Sequence, residues 1–191
     1  GAMECSYFRA GRCRSCSELE VPYAAQLARK QRRVRDTLRA QAHTEWLPPL
    51  ASPEAGFRNK AKMVVAGTIQ TPTLGILDPA GGGVDLSDCP LYPPALASAF
   101  APLAHFITRA RIEPYAVAAR RGELKHLLIT LAEHSGELML RFVLRSQEPI
   151  ARIRKYLPEL QAELPRLAVV SANLQPEHKA VLEGEQEILL T

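Results

Sequence analysis

Residues 123–145 read ELKHLLITLAEHSGELMLRFVLR, and this stretch decides the fold. Two runs rich in apolar residues, 123–132 and 137–145, flank the short polar segment His134-Ser135-Gly136. A glycine in a short polar connection between two strand-like runs is typical of a β-hairpin. The pattern therefore predicts two antiparallel strands.

Further elements are predicted on both sides of this hairpin. Upstream, 57–68 alternates apolar residues with Arg58, Lys60 and Lys62. A period of two sends these three cations to one side of a strand and places Phe57 with the apolar set in the core. The other predicted elements are strands at 74–77, 84–86, 167–174 and 188–191, a helix at 94–110 that Pro102 should kink or split, and a helix at 149–164 with a kink near Pro158. This order predicts an α+β domain with a mostly antiparallel sheet.

The segment 21–42 has helical composition and begins near Pro22, a residue tolerated at a helix start. It is rich in arginine, and its apolar residues form one narrow stripe, which favours a helix that docks on a single partner surface. The alternative is that it packs on its own domain. The stripe consists of Tyr23, Leu27, Val34 and Leu38. A Pro- and Ser-rich linker is expected at 47–56.

The positive charge is concentrated near the N-terminus. Residues 1–62 hold twelve Lys and Arg against six Asp and Glu, whereas the whole chain carries a formal net charge of +4. A basic surface of this kind indicates a polyanion such as RNA, although a solvated helix surface would give the same composition. Gly1-Ala2 resembles the remnant of a cleaved tag, and no apolar stretch is long enough to span a bilayer. We expect a soluble, cytoplasmic protein without a membrane partner.

The four cysteines follow the spacing Cys5-x7-Cys13-x2-Cys16, with Cys89 distant in the sequence and followed by a proline. In a reducing compartment such a set indicates a metal site rather than disulfides. Three close cysteines with one remote cysteine favour a [4Fe–4S] cluster, because structural zinc is usually held by two close pairs. Zinc and unliganded buried thiols are the alternatives.

With these residues in view, the chain resembles the RNA (uracil-C5)-methyltransferases, in particular the bacterial 23S rRNA enzymes of that family. The resemblance rests on five motifs spread over the chain: 10–16 (AGRCRSC), 56–63 (GFRNKAKM), 88–93 (DCPLYP), 121–125 (RGELK) and 140–146 (LRFVLRS). It implies a [4Fe–4S] cluster on Cys5, Cys13, Cys16 and Cys89. It also implies binding of a 23S rRNA stem-loop and methylation of one uridine at C5 with S-adenosylmethionine.

The chain departs from the family in two ways. The cluster pattern uses all four cysteines, so none remains as the catalytic nucleophile, and no glycine-rich loop for S-adenosylmethionine is present. The resemblance implies three regions, 1–20 with the cysteine loop, 21–55 with the basic helix and linker, and 56–191 as an RNA-binding domain, and places a catalytic domain after 191. The strand-like ending 187–191 suggests that the sequence is cut within an element. We therefore expect this fragment to be inactive alone and to need its missing catalytic domain as a partner.

The cations expected to contact RNA are Arg58, Lys60, Lys62, Arg12, Arg14, Lys125, Arg141 and Arg145. Phe57 is expected in the core, with stacking on an RNA base as the alternative. A stand-alone RNA-binding module stabilised by zinc or a cluster is the alternative function, and an electron-transfer protein is a third. Salt-dependent RNA binding separates the first two from the third, and an iron–sulfur absorption band separates a cluster from zinc.

Overall fold

The computed structural model describes residues 3–41, 43–178 and 183–191, and within them it shows one seven-stranded sheet and five helices. The helices are α1 Ser6–Arg9, α2 Tyr23–Thr37, α3 Pro94–Ala97, α4 Phe100–Arg109 and α5 Ile150–Glu163. The strands are β1 Lys60–Gly67, β2 Pro72–Leu77, β3 Gly83–Asp85, β4 Leu124–Leu131, β5 Leu138–Leu144, β6 Leu167–Leu174 and β7 Gln186–Leu189. The predicted α+β class is confirmed.

The sheet order is β3-β2-β1-β4-β5-β6-β7, and every neighbouring pair is antiparallel except β5 with β6. The predicted hairpin, β4 with β5, lies in the middle of the sheet. The parallel pair is joined by α5, which fills the crossover that a parallel connection requires. The sheet is therefore mostly antiparallel, as predicted.

The core lies between the sheet and helices α3, α4 and α5. Met63, Leu127 and Phe142 come from three central strands and are essentially inaccessible to solvent, as are Phe100 of α4 and Ile153 of α5. The alternation in β1 and β5 leaves the opposite face of the sheet for Lys60, Lys62, Met139 and Arg141. This second face, called here the outer face, carries the exposed cations of β1.

Two predictions are corrected, and the first concerns a helix. The predicted helix at 94–110 is split at Ser98-Ala99 rather than at Pro102. Pro102 lies in the first turn of α4, where backbone N–H groups have no intrahelical acceptor and proline costs little. In α5, Pro149 occupies the position before the helix and Pro158 lies within it.

Phe57 is the second correction, because its side chain is 45% exposed instead of buried. The strand begins only at Lys60, so the alternation that places Met63 in the core does not extend back to Phe57. Gly56 adopts the left-handed region with φ 63°, and it turns the chain just before Phe57. The segment 56–58 instead pairs with Pro90 and Leu91 through backbone hydrogen bonds.

Helix α2 is shorter than predicted and buries none of its residues. It ends at Thr37, and the predicted end at Ala42 lies outside the described residues. Val34 and Leu38 of the apolar stripe are 47% and 43% exposed, whereas Tyr23 and Leu27 are half-buried. The alternative in which the whole stripe packs on its own domain is therefore not what the structure shows. Among the described residues, no helix combines the length and the apolar character needed to cross a membrane.

Candidate metal centre and basic surface

All four cysteines line one cavity of about 230 Å³. Each is half-buried, and none forms a disulfide. The rest of the cavity wall is largely apolar, with the aromatic rings of Tyr7, Phe8 and Tyr92 and a single guanidinium, that of Arg58. Although 72 residues lie between Cys16 and Cys89 in the sequence, the fold brings both to this cavity.

The N-terminal loop folds back on itself to bring three of the cysteines together. Cys5 is the residue before α1, and its carbonyl accepts a hydrogen bond from the N–H of Arg9 at the end of that single turn. Gly11, with φ 71°, reverses the chain. The N–H groups of Arg12 and Cys13 then both donate to the carbonyl of Tyr7, at 2.9 and 3.3 Å. Cys13 is therefore held next to α1.

Tyr7 also joins this loop to the fourth cysteine. Its hydroxyl oxygen accepts a hydrogen bond from the backbone N–H of Asp88 at 3.1 Å. The N–H of Cys89 in turn donates to the carbonyl of Leu86, directly after β3, at 3.0 Å. The loop and the sheet edge are thus fixed to each other at the cavity. This role of Tyr7 could not be predicted from the sequence, because its partner lies 81 residues away along the chain.

The electrostatics of the cavity oppose free thiolates. Burial raises the pKa of the Cys16 thiol, and its nearness to Cys13 and Cys5 adds to the effect, while Arg58 acts in the opposite direction. Burial also raises the pKa of the Cys89 thiol, against a backbone hydrogen bond from Leu91. The thiols of Cys16 and Cys89 therefore resist ionisation, and a bound cation would stabilise their thiolates.

The donor set fits a soft metal centre. Sulfur ligands of this kind select zinc, Cu(I) or iron–sulfur clusters. Among the described residues, no three His, Cys, Asp or Glu side chains lie close enough together to hold one metal ion. A structural zinc ion binds four ligands directly, with Zn–S distances of about 2.3 Å, whereas a [4Fe–4S] cluster binds each thiolate to a different iron.

Arg58, Lys60 and Lys62 form a path from this cavity to the outer face. Arg58 comes before the first residue of β1, so it is not part of the strand that carries the two lysines. Its side chain lines the cysteine cavity. Lys62 lines both the cavity and a groove of about 370 Å³ on the outer face, and Lys60 lines that groove alone. Both lysines are exposed. Among the described residues, neither ammonium group has an ion-pair partner within 4.0 Å.

Three predicted RNA-contact residues are already engaged within the protein. Lys125 is 6% exposed, and its ammonium donates to the side-chain oxygen of Gln175 and to the carbonyl of Glu177. Arg141 forms ion pairs with Glu183 and Glu187, and Arg145 forms one with Glu123 at 3.1 Å. Their contact with RNA stays a prediction, and each would first have to leave these partners.

Of the two predicted RNA-contact residues in the cysteine loop, Arg12 and Arg14, the second also has a partner within the loop. Arg14 donates to the carbonyl of Phe8, and its guanidinium lies 4.2 Å from the centre of the Phe8 ring. Arg12 is exposed. The cation–π contact orders the loop near Cys13, so Arg14 has a structural role whether or not it contacts RNA.

A second groove, of about 380 Å³, lies beside the cysteine cavity. It shares Cys16, Arg58 and Leu91 with the cavity and extends to the start of α2 and the linker. Phe57 lies in its wall. The alternating pattern around β1 favoured a core position for this residue over base stacking, and the exposed ring contradicts the core position.

The exposed helix α2 adds a strongly basic surface. Arg29, Arg32 and Arg33 lie together with Asp36 around one shallow depression, on the side of the helix away from the apolar stripe. Arg29 and Lys30 form ion pairs with Glu18, and Arg35 lies over the ring of Trp46. The helix therefore projects a cationic face next to the cysteine loop.

Comparisons with known proteins confirm the resemblance expected from the motifs. The chain is 54% identical over 189 residues to the 23S rRNA (uracil(747)-C(5))-methyltransferase RlmC of Edwardsiella ictaluri, and equally to that of Yersinia enterocolitica. Each alignment covers 99% of this chain and 50% of the relative, so the chain spans about half the length of the curated relatives it matches. No family model matches the chain.

The fold is also found in a solved structure. Pyrococcus abyssi tRNA (uracil-54, C5)-methyltransferase, determined in complex with S-adenosyl-L-homocysteine, superposes with a TM-score of 0.64 at 17% identity. The match covers 97% of this chain and 41% of that protein. The architecture described above therefore recurs within a larger enzyme.

Proposed function

We infer that this chain, a relative of the 23S rRNA uracil-C5 methyltransferases over 99% of its length, is the cluster-bearing and RNA-contacting part of such an enzyme. In the full-length protein, the product would be 5-methyluridine in a 23S rRNA stem-loop, with S-adenosylmethionine as methyl donor. The catalytic domain would lie outside residues 1–191. The protein would act in the cytoplasm, where rRNA is modified in bacteria.

The observation that carries this proposal is the convergence of all four cysteines on one cavity. Cys5, Cys13, Cys16 and Cys89 would hold a [4Fe–4S] cluster. When bound, the cluster would supply iron–thiolate bonds that link the N-terminal loop to the edge of the sheet. Tyr7 and the backbone of Asp88 position the two halves of the ligand set without it.

The position of all four cysteines around one cavity also supports the inference that this fragment has no methyltransferase activity on its own. Uracil-C5 methylation in the family uses a cysteine nucleophile, and this chain has only four cysteines. If all four bind the cluster, no thiol remains to attack the base. Binding of RNA would then be the function that the fragment retains.

The charge distribution supports the RNA part of the proposal. Exposed cations lie on β1, on the cysteine loop and on α2, and Lys62 and Arg58 lie in the cavity wall itself. Such a surface neutralises phosphates and releases counterions, which makes binding strongly dependent on salt. The acidic partners of Arg141 and Arg145 make that side of the sheet a weaker candidate.

Purification without oxygen, followed by iron, sulfide and zinc analysis and a visible absorption spectrum, tests the metal assignment. We expect about four iron and four sulfide per chain, and their loss in Cys89→Ser. Ser15→Ala is the matched control, because Ser15 lies in the cavity wall and contacts the thiol of Cys13 without belonging to the ligand set. One zinc per chain and no visible band would contradict the cluster and leave a zinc-stabilised RNA-binding module.

A further inference from the structure

We propose that the groove beside the cysteine cavity binds an unstacked base of single-stranded RNA, with Phe57 as the stacking surface and Lys30 and Arg58 as phosphate contacts. The proposal rests on the RNA-binding function above and adds to it a specific site and ligand class. Its groove, called here the Phe57 groove, is lined by Tyr23, Gln26, Lys30, Ser52, Phe57 and Arg58, among others.

Phe57 is presented by a backbone that is fixed on both sides. The N–H of Gly56 donates to the carbonyl of Pro90 at 2.9 Å, and the N–H of Arg58 donates to the carbonyl of Leu91 at 2.9 Å. The ring is 45% exposed, and the backbone that carries it is already held in place before any ligand arrives. Stacking on the ring therefore requires no ordering of the backbone, which is the advantage of a preorganised site.

The opposite wall of the groove is also built by specific hydrogen bonds. The N–H of Ser52 donates to the hydroxyl of Tyr23 at 3.0 Å and ties the linker to the start of α2. The side-chain amide of Gln26 donates to the carbonyls of Glu18 and Val21, at 3.0 and 2.8 Å. The groove thus has two ordered walls, and its volume of about 380 Å³ falls in the range of small-molecule sites.

The chemistry of the lining favours a nucleotide over an apolar ligand. Lys30 and Arg58 add positive charge to a groove that also presents an aromatic ring, which is the combination that single-stranded nucleic acid sites use. Two acidic residues also line the groove, and one of them, Glu18, pairs with Lys30 at 3.9 Å. A contact of that length between exposed groups is weak, so the ammonium stays available to a phosphate.

Fluorescence anisotropy with a labelled single-stranded oligouridylate of about ten nucleotides tests the site, with the reduced, anaerobically purified chain. Phe57→Leu keeps an apolar side chain and removes the aromatic face. Loss of one base–aromatic stack corresponds to about 5- to 150-fold weaker binding. We expect at least about a fivefold loss in Phe57→Leu and recovery in Phe57→Trp. Trp46→Leu, an exposed aromatic residue that does not line the groove, is the matched control and should bind normally.

A second readout does not depend on affinity alone. Trp46 is the only tryptophan of the chain, so Phe57→Trp in a Trp46→Phe background gives a single reporter in the groove. Its emission should be quenched by the oligouridylate and much less by an RNA duplex of the same length, whose bases are already stacked. Phe57→Leu should also leave the slope of log affinity against log salt unchanged, because it removes no phosphate contact.

The outcomes separate this proposal from the one on which it rests. If the unmodified chain shows no salt-dependent RNA binding, the proposed function itself fails. If it binds but Phe57→Leu binds within twofold of it, or loses affinity equally for single strand and duplex, the RNA function stands and the stacking site is wrong. An unchanged melting temperature for Phe57→Leu shows that any loss of binding does not reflect unfolding.

Discussion

The sharpest test of the basic surface is the double substitution Lys60→Met and Lys62→Met on β1. The two residues lie two positions apart on one strand, so their side chains share the outer face at a spacing of about 7 Å. Both are exposed, and neither has an acidic partner within 4.0 Å among the described residues. Each ammonium can therefore neutralise one phosphate without first breaking an ion pair.

The magnitude follows from counterion release. On single strands each phosphate contact contributes about 0.7 to the slope of log affinity against log salt concentration. Losing both contacts should lower the slope by about 1.4. At about 0.1 M salt this corresponds to roughly fivefold weaker binding for each lysine and about 25-fold for the pair. Methionine retains most of the apolar stem, so the fold should be preserved.

The assay is RNA binding by fluorescence anisotropy between about 50 and 200 mM salt, the range over which phosphate contacts are most visible. Lys155→Met is the matched control, because Lys155 is an exposed lysine on α5, which packs on the other face of the sheet. Arg141→Met serves as a second comparison, since Arg141 already pairs with Glu183 and Glu187. We expect a smaller change in slope for it than for either lysine.

An unchanged slope in the double variant would refute the assignment of β1 as an RNA surface. An equally large change in slope for Lys155→Met would show that RNA binding depends on the net charge of the protein and not on the outer face of the sheet. A change in Arg141→Met as large as that of a β1 lysine would show that its ion pairs open at negligible cost.

The remaining predictions concern stability. Burial, and next the positive charge of Lys125, lower the pKa of His126, whose Nδ1 has no hydrogen-bond partner among the described residues. Below about pH 6.5 the unfolded chain takes up a proton that the folded chain resists, so the free energy of unfolding should fall with decreasing pH, by at most about 1.4 kcal/mol per unit. Urea denaturation at about pH 7 and pH 5 should show this loss, and His126→Phe should reduce it; an identical pH profile would contradict the explanation. Gly122→Ala should destabilise the fold by more than the roughly 1 to 3 kcal/mol of backbone strain, because φ is 105° and an added Cβ would lie 2.3 Å from the carbonyl oxygen of Pro114. Gly136→Ala, with φ 72° and no atom near its Cβ, isolates the strain, and equal melting temperatures for the two variants would exclude the clash.

Much of the fold could be predicted from the chain because its strands alternate. The predicted strands at 123–132 and 137–145 differ from β4 and β5 by one residue at each end, since each boundary coincides with a change in hydrophobic period. Periodicity does not determine which strands pair over long distances. Neither the contact of β1 with β4 nor the parallel pairing of β5 with β6 has a local signature.

The cations show the same limit. The sequence identified Lys125 as a candidate contact because it is charged, yet the side chain is buried against Gln175 and Tyr115. A lysine in a strand can extend its ammonium to carbonyl groups of a neighbouring loop, and only the tertiary structure reveals such acceptors. Spacing was more informative for the cysteines, because a shared metal group would require them to lie together, and all four do line one cavity. Their role as metal ligands stays a prediction.

The short segment 89–92 connects the two candidate sites of the molecule. Cys89 lines the metal cavity, and the next two carbonyls, of Pro90 and Leu91, hold the backbone on either side of Phe57. A metal group that fixes Cys89 would therefore also restrain the backbone to which Phe57 is attached. Arg58 lines both the cavity and the Phe57 groove, so its positive charge acts at both sites. If a cluster binds at this position, it would support RNA recognition by holding its ligand loop and the backbone of Phe57 in place.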